Sequence, residues 1–175
     1  MTIAFSCAPL YSLKRMKLIM MRHADHENNV LTADGIKQIT TLGESLPRII
    51  ATHNIDVSRV LFLVSPQGRT AATAHRLKSY LESCGMQYYQ LEVVAAFDQE
   101  ESAGYQQAVE LIAEHCKRKD LTLVWVVTHF FQMVNVPELV LELVHGSGVD
   151  PFELSTFFCE PVLIDMITGE GRYPL

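Results

Sequence analysis

Two runs of apolar residues, each the length of a single strand, constrain the fold of this chain more than any other feature. They are VLFLV at Val60 to Val64 and LTLVWVV at Leu121 to Val127. Strands that are apolar at nearly every position are typical of parallel sheets, because helices cover both faces of such a sheet. Two further strands are predicted at Lys17 to Met21 and at Leu91 to Phe97. The sequence therefore predicts an α/β protein built on a buried sheet.

Segments with helical spacing of apolar residues separate these strands. The first helix is predicted to begin near Thr32, a favourable N-cap, and to be broken or kinked at Pro47. The later elements are helices at Arg69 to Cys84 (closed by Gly85) and at Tyr105 to Lys119, an apolar helix that is kinked or restarted at Pro137 and runs to about Val144, and a last strand at Ser155 to Ile167. This alternation predicts a three-layer α/β/α sandwich with a mostly parallel central sheet. We expect one domain, residues 16–175, after a flexible N-terminal extension at residues 1–15.

The composition excludes several classes of partner and location. The chain has 175 residues and a formal net charge of −6, and it contains no long run of Lys or Arg. Nucleic acid and an anionic membrane are therefore not expected as partners. No apolar run is long enough to cross a bilayer. The cysteines, Cys7, Cys84, Cys116 and Cys159, are far apart, which favours reduced thiols and a cytoplasmic protein.

Polar residues of a particular kind follow three of the predicted strands. Arg22-His23 follows the first, Ser65 to Arg69 follows the second, and Thr128-His129 follows the fourth. Ligands of such folds bind outside the carboxyl ends of the strands, so these side chains could share one site. Two guanidinium groups and two imidazoles can surround a tetrahedral dianion, and a neutral histidine is a nucleophile. The set is suited to phosphoryl transfer with no metal and no other cofactor.

Four motifs in these segments resemble those of the histidine phosphatase superfamily, the phosphoglycerate mutase-like group. The family's R-H-G appears as Arg22-His23-Ala24, and its L-T-x-x-G-x-x-Q appears as LTADGIKQ at Leu31 to Gln38. Its S-P-x-x-R-T-x-x-T-A appears as SPQGRTAATA at Ser65 to Ala74, and its late T-H pair is Thr128-His129. The motifs occur in the family's order and span residues 17–130. The chain resembles a short, phosphohistidine phosphatase-like member of this group.

The resemblance implies a mechanism. His23 would attack the phosphorus atom and carry a phosphohistidine, and Arg22, Arg69 and His129 would bind the phosphoryl oxygens. Asn29 and Ser65 would also contact the substrate. Glu100, four residues before Gly104, occupies the position of the family's acid that protonates the leaving group, with Glu101 and Asp98 as alternatives.

The chain also departs from the family pattern. Ala24 replaces the usual glycine, and Asp25 stands where many members have Glu. A catalytically silent phosphate-binding module on the same fold is therefore an alternative. A second alternative is a metallohydrolase, because His23, Asp25 and His26 form H-x-D-H. His26 itself is expected to be an exposed loop residue.

The distribution of cations bears on the substrate. No Lys or Arg lies between Lys78 and Lys117, or between Lys119 and Arg172. A phosphoglycerate mutase-type phosphotransferase must hold a second anionic group, which usually requires additional cations. The sequence therefore favours a phosphatase that acts on a phosphomonoester or on a phosphoprotein.

Overall fold

The computed structural model describes residues 16–145, 158–166 and 171–172. The predicted N-terminal extension, the start of the predicted last strand and Ile167 lie outside these residues. Within them, six strands form one sheet in the order β5-β4-β6-β1-β7-β8, and β2 and β3 form a separate hairpin. The strands are β1 (Lys17–Arg22), β2 (His26–Glu27), β3 (Val30–Leu31), β4 (Arg59–Val64), β5 (Tyr88–Val93), β6 (Leu123–Thr128), β7 (Val162–Asp165) and β8 (Gly171–Arg172).

Parallel pairing in the middle of the sheet positions the site. β4, β5, β6 and β1 are parallel, whereas β7 pairs with β1 antiparallel and β8 with β7 antiparallel. β6 lies between β4 and β1, and Arg22 on β1 is in register with Thr128 on β6. The carboxyl ends of β1, β4 and β6 therefore meet at one edge, and the predicted mostly parallel sheet is confirmed.

Four α-helices in the described residues connect these strands: α1 (Ala33–His53), α2 (Gly68–Ser83), α3 (Ser102–Cys116) and α4 (Phe130–His145). Alternate residues of β1 pack on opposite faces of the sheet. Leu18 and Met20 pack in a core with α3 and α4, while Ile19 and Met21 pack in a second core with α1 and α2. Both faces of the sheet are thus covered, as the apolar runs predicted, and the molecule has the predicted three-layer α/β/α architecture.

The predicted position of the third strand was wrong. The strand covers Tyr88–Val93, and the apolar residues after it form a short 3-10 helix at Ala95–Asp98. β5 is an edge strand that is only partly buried, so its sequence is more polar than a central strand. The apolar character of Ala96 and Phe97 reflects burial in the 3-10 turn instead.

Of the break or kink predicted at Pro47, the break is absent, since α1 continues through this residue. The helix predicted to be kinked or restarted at Pro137 also continues, as α4, through that residue. Proline in a helix removes one hydrogen bond, but packing on both sides of it can hold the helix together. Leu46 and Ile49 are buried on either side of Pro47 and anchor both halves of α1. The predicted end of α2 is confirmed, because Gly85 has a φ of +101°, which glycine adopts without strain.

Candidate active site

His23 lies directly after β1 and is buried, with an exposed fraction of 2%. Its backbone N–H donates to the Thr128 carbonyl at 3.0 Å, which ties the end of β1 to β6. Its ring Nδ1 is 2.7 Å from the Ala24 carbonyl, and a carbonyl can only accept, so Nδ1 carries the proton. The lone pair is therefore on Nε2, where Arg69 Nε donates to it at 3.2 Å.

Arg69, in the first turn of α2, is at the centre of the cluster. Its Nε donates to His23, its Nη1 donates to Asn29 Oδ1 at 3.0 Å, and its Nη2 lies 3.3 Å from His129 Nδ1. A guanidinium has no acceptor atom, so His129 Nδ1 must accept from it. The Arg69 side chain thus joins a residue after β1, a residue in the β2–β3 hairpin and a residue after β6.

His129 is held from its other side by the segment after β4. Its Nε2 is 2.7 Å from Ser65 Oγ, and the centroids of the His23 and His129 rings are 5.1 Å apart. Since Nδ1 accepts from Arg69, Nε2 carries the proton and donates to Ser65. The structure therefore brings Ser65 to the cluster through His129.

Burial sets the protonation state of both histidines. Burial lowers the pKa of His23 from 6.5 to about 3, with smaller effects from the neighbouring His129, His26 and Arg69. Burial also lowers the pKa of His129 to about 4, and Arg69 lowers it further. Both rings are neutral near pH 7, which agrees with the hydrogen-bond pattern.

Arg22, the last residue of β1, lies on an aromatic surface. Its guanidinium carbon is 3.8 Å from the centroid of the Phe158 ring and 5.8 Å from that of Phe130. Burial and the nearby Arg69 lower the pKa of Arg22. A cation stacked on an aromatic face is stabilised by its attraction to the ring.

The LTADGIKQ motif holds the chain that follows His23. The backbone N–H of Asp25 donates to Gln38 Oε1 at 2.9 Å, and the Asp25 carboxylate accepts from Thr32 Oγ1 at 2.7 Å. Thr32 also caps α1, as predicted, by accepting from the N–H of Gly35 at 3.0 Å. A Cβ atom on Gly35 would lie 2.0 Å from the Asp25 carbonyl oxygen, so the close approach requires glycine. The fixed positions of the motif thus position the loop that follows the proposed nucleophile.

Asn28 and Asn29 form the two-residue turn between β2 and β3, and both have left-handed φ values of 49° and 64°. Asparagine adopts these angles more readily than most residues. The turn explains Asn29 locally, and its contact with Arg69 places it at the cluster as well.

Ala24 accommodates its methyl group in the structure. It is fully buried, and its N–H donates to Thr73 Oγ1 at 3.1 Å. Its φ is not among the positive values of the described residues, so the backbone here does not require glycine.

His26 and Phe158 belong to the site although neither was singled out as a site residue from the sequence. The expectation that His26 is exposed was wrong: the residue is half-buried, and its ring centroid lies 4.6 Å from that of His23. Its Nδ1 is buried and has no hydrogen-bond partner among the described residues. The H-x-D-H spacing was a signal that could have drawn more attention to His26, whereas nothing near Phe158 in the sequence marked it.

The acidic loop contributes Asp98 to the cluster rather than Glu100. Asp98 Oδ1 is 3.5 Å from His129 Nε2. Glu100 is exposed, and its described contact is the backbone carbonyl, which accepts from the Tyr105 hydroxyl at 3.1 Å. Glu101 is exposed as well and precedes α3. None of the described contacts joins Glu100 or Glu101 to the histidines.

Two searches of the described residues concern metals and membranes. In residues 16–145 and 158–166, no group of three His, Cys, Asp or Glu side chains is arranged so that it could hold a metal ion. In the same part of the chain, no helix is both long enough and apolar enough to span a membrane.

Known structures with the same fold cover almost the whole chain, although no protein-family model and no curated protein sequence matches it. The ecdysone phosphate phosphatase of Bombix mori, in complex with tungstate, is 14% identical with a TM-score of 0.59, covering 91% of this chain and 93% of that one. The mycobacterial glucosyl-3-phosphoglycerate phosphatase is 12% identical with a TM-score of 0.58, covering 90% and 96%. Phosphoglycerate mutase from Bacillus anthracis is 15% identical with a TM-score of 0.55, covering 90% and 91%. The predicted phosphoglycerate mutase-like fold is confirmed.

Proposed function

We propose that this protein is a phosphatase of the histidine phosphatase type, which hydrolyses a phosphomonoester or a phosphoprotein through a phosphohistidine on His23. One observation carries the proposal. The Arg69 guanidinium lies within hydrogen-bond distance of His23 Nε2 and of His129 Nδ1, so a nucleophile and oxyanion-binding groups converge on one point. A phosphoryl group bound there would contact all three side chains.

In the first step, the lone pair of His23 Nε2 attacks phosphorus and the bond to the leaving atom breaks, while that atom takes up a proton from solvent. The hydrogen bond from His23 Nδ1 to Ala24 fixes the ring with Nε2 facing the substrate and stabilises the positive charge that develops on the ring. Arg22 and Arg69 bind the phosphoryl oxygens, on which negative charge is spread in the transition state. Water then attacks the phosphohistidine and loses a proton to solvent, the N–P bond breaks with its electron pair returning to Nε2, and inorganic phosphate leaves.

The protonation state of His23 supports this role. Burial lowers its pKa to about 3, so the imidazole is neutral and nucleophilic throughout the neutral range. The φ angle of Ala24 is not in the left-handed region, so the position does not require glycine. This supports an active enzyme over the silent module.

A phosphatase fits the charges of the chain better than a mutase does. The long stretches without Lys or Arg leave little to hold a second phosphate or a carboxylate. Two phosphatases with the same fold are named for ecdysone phosphate and for glucosyl-3-phosphoglycerate, which supports a phosphomonoester substrate in this chain. We further propose a cytoplasmic location, because the scattered cysteines resemble those of reduced proteins.

The test is a panel of phosphomonoesters and a phosphohistidine-bearing protein, assayed for released phosphate with wild type and His23→Ala. We expect the wild type to hydrolyse at least one substrate, to retain activity after treatment with a chelator, and to form an acid-labile phosphoenzyme in rapid-quench samples. His23→Ala should show no turnover while its circular dichroism and unfolding midpoint stay close to wild type. Full activity in the variant would refute the nucleophile, and a wild type that never becomes phosphorylated and hydrolyses nothing would favour the silent module. Loss of activity with the chelator, restored by zinc, would favour the metallohydrolase.

A further inference from the structure

The ring protons of His129 are arranged in a way that does not suit phosphate binding by itself. Nε2 carries the proton and faces Ser65 and Asp98, whereas Nδ1 presents a lone pair to Arg69. The oxygens of a phosphoryl dianion are acceptors, so a lone pair facing them is repulsive. His129 can contribute to binding from Nδ1 only if that atom also takes up a proton.

Asp98 is placed to stabilise the doubly protonated ring. Its carboxylate lies 3.5 Å from His129 Nε2, at the end of the 3-10 helix after β5. The side-chain amide of Gln67 donates to both carboxylate oxygens at 3.0 Å, which fixes the orientation of the carboxylate. Gln67 in turn precedes α2, the helix that carries Arg69. The same short segment therefore positions both the oxyanion-binding guanidinium and the carboxylate behind His129.

The charges around His129 oppose protonation until an anion arrives. Burial is the largest cause of the lowered pKa of His129. Arg69, His26 and Arg22 lower it further, and of the nearby groups Asp98 raises it. His23, the remaining titratable group in contact with the ring, is neutral. A bound dianion would offset the two guanidinium charges, and Asp98 would then favour the imidazolium form.

We propose that Asp98 is a positioning residue which, through His129 Nε2, makes the binding of a tetrahedral dianion at this site coupled to the uptake of one proton by His129. The inference rests on the proposed function and adds to it a carboxylate–histidine pair. The proton comes from solvent and goes to Nδ1, and no covalent bond other than this N–H bond forms or breaks in the step.

Isothermal titration calorimetry with sulfate tests the proposal without turnover. Sulfate is a tetrahedral dianion at neutral pH and brings no proton of its own. Titrations at pH 7 in two buffers of different ionisation enthalpy give the number of protons taken up per sulfate bound. We expect close to one proton for wild type and clearly less for Asp98→Asn, with sulfate affinity about tenfold weaker in the variant, equivalent to about one pKa unit at His129. Lowering the pH should restore much of the affinity of Asp98→Asn, and Asp98→Glu should lie between the two.

Two further variants complete the test. Glu110→Gln removes one exposed negative charge elsewhere, on α3, and should behave as wild type in both readouts. His129→Gln should bind sulfate weakly and take up no proton. Two results would overturn this inference and leave the proposed function standing. One is sulfate binding to wild type without proton uptake. The other is proton uptake in Asp98→Asn or in His129→Gln that equals that of wild type. If wild type binds neither sulfate nor tungstate at millimolar concentration, both this inference and the proposed function are overturned.

Discussion

Replacing Gly35 with alanine should force the chain that follows His23 to move. A Cβ atom at this position of α1 would lie 2.0 Å from the Asp25 carbonyl oxygen and 3.0 Å from its carbonyl carbon. Unstrained contacts of this kind are about 3.4 Å or longer, so the two segments must separate by more than about 1 Å. The Thr32 N–H donates to the same carbonyl at 3.2 Å and would lose this bond as the oxygen withdraws.

The magnitude follows from three contributions. Overpacking of this size costs about 1–3 kcal/mol, and the lost backbone hydrogen bond adds about 1 kcal/mol. Alanine gains up to about 1 kcal/mol over glycine in a helix, which offsets part of the cost. The free energy of unfolding should therefore fall by about 2 kcal/mol. Ala24, which accepts from His23 Nδ1, precedes the displaced residue, so kcat/KM should also fall by about 10- to 100-fold.

Gly68→Ala is the matched control, because a Cβ atom there meets nothing within 4 Å at the start of α2. Urea unfolding followed by circular dichroism would give both free energies, and phosphate release would give both rates. We expect the free energy of unfolding of Gly68→Ala to equal or exceed that of wild type, and that of Gly35→Ala to be lower than both. Equal stability of the two variants would mean that the close approach of α1 to Asp25 does not constrain the molecule, and the reasoning would fail.

Two other predictions concern acid stability and the hairpin turn. The pKa of His23 is about 3 in the folded protein and about 6.5 when unfolded, so the unfolded state binds more protons between these values and stability is lost as the pH falls. Between pH 7 and pH 5, wild type should lose about 2 kcal/mol more than His23→Gln in urea titrations, and parallel curves for the two would contradict the lowered pKa. Asn29→Gly keeps the left-handed turn and removes the amide contact with Arg69, so KM should rise several-fold while stability stays within about 0.5 kcal/mol of wild type. Asn29→Ala should share the rise in KM and also lose about 1 kcal/mol of stability, and equal stability of the two variants would show that the turn carries no strain.

The cluster could be predicted because its members follow strands of a parallel sheet. Residues 22–23, 65–69 and 128–129 are far apart in sequence, but apolar runs of strand length precede each of them. Carboxyl ends of adjacent parallel strands share an edge whatever the connecting helices do. The motif residues of Leu31 to Gln38 were recognisable by resemblance, and the structure supplies the physical reason for them in the approach of α1 to Asp25.

The sequence could not show which carboxylate of the acidic loop lies near the site, because this depends on where β5 ends. The apolar residues up to Phe97 suggested a continuing strand, whereas the chain turns into a 3-10 helix after Val93. That turn brings Asp98 to His129 and leaves Glu100 exposed. A shift of four residues at one strand end, from Phe97 to Val93, thus changes which carboxylate is near the site, and sequence patterns locate strand ends no better than that.

His26 escaped prediction for a different reason. The hairpin that carries it has strands of two residues each, which are too short to produce a periodic pattern. No sequence pattern predicted a role for Phe158 either, since it follows no motif and reaches the cluster through a single parallel bridge with Arg22.

The order of strands across the sheet has a consequence for biosynthesis. β6, which is made last of the three strands that converge on the cluster, lies between the two that are made earlier. A nascent chain on the ribosome that has exposed β1 and β4 therefore lacks the central strand that joins them, and His23 and Arg69 have no shared scaffold. The site needs residues 123–129 paired with both β1 and β4, so a chain that has not yet added β6 to the sheet lacks the arrangement described above.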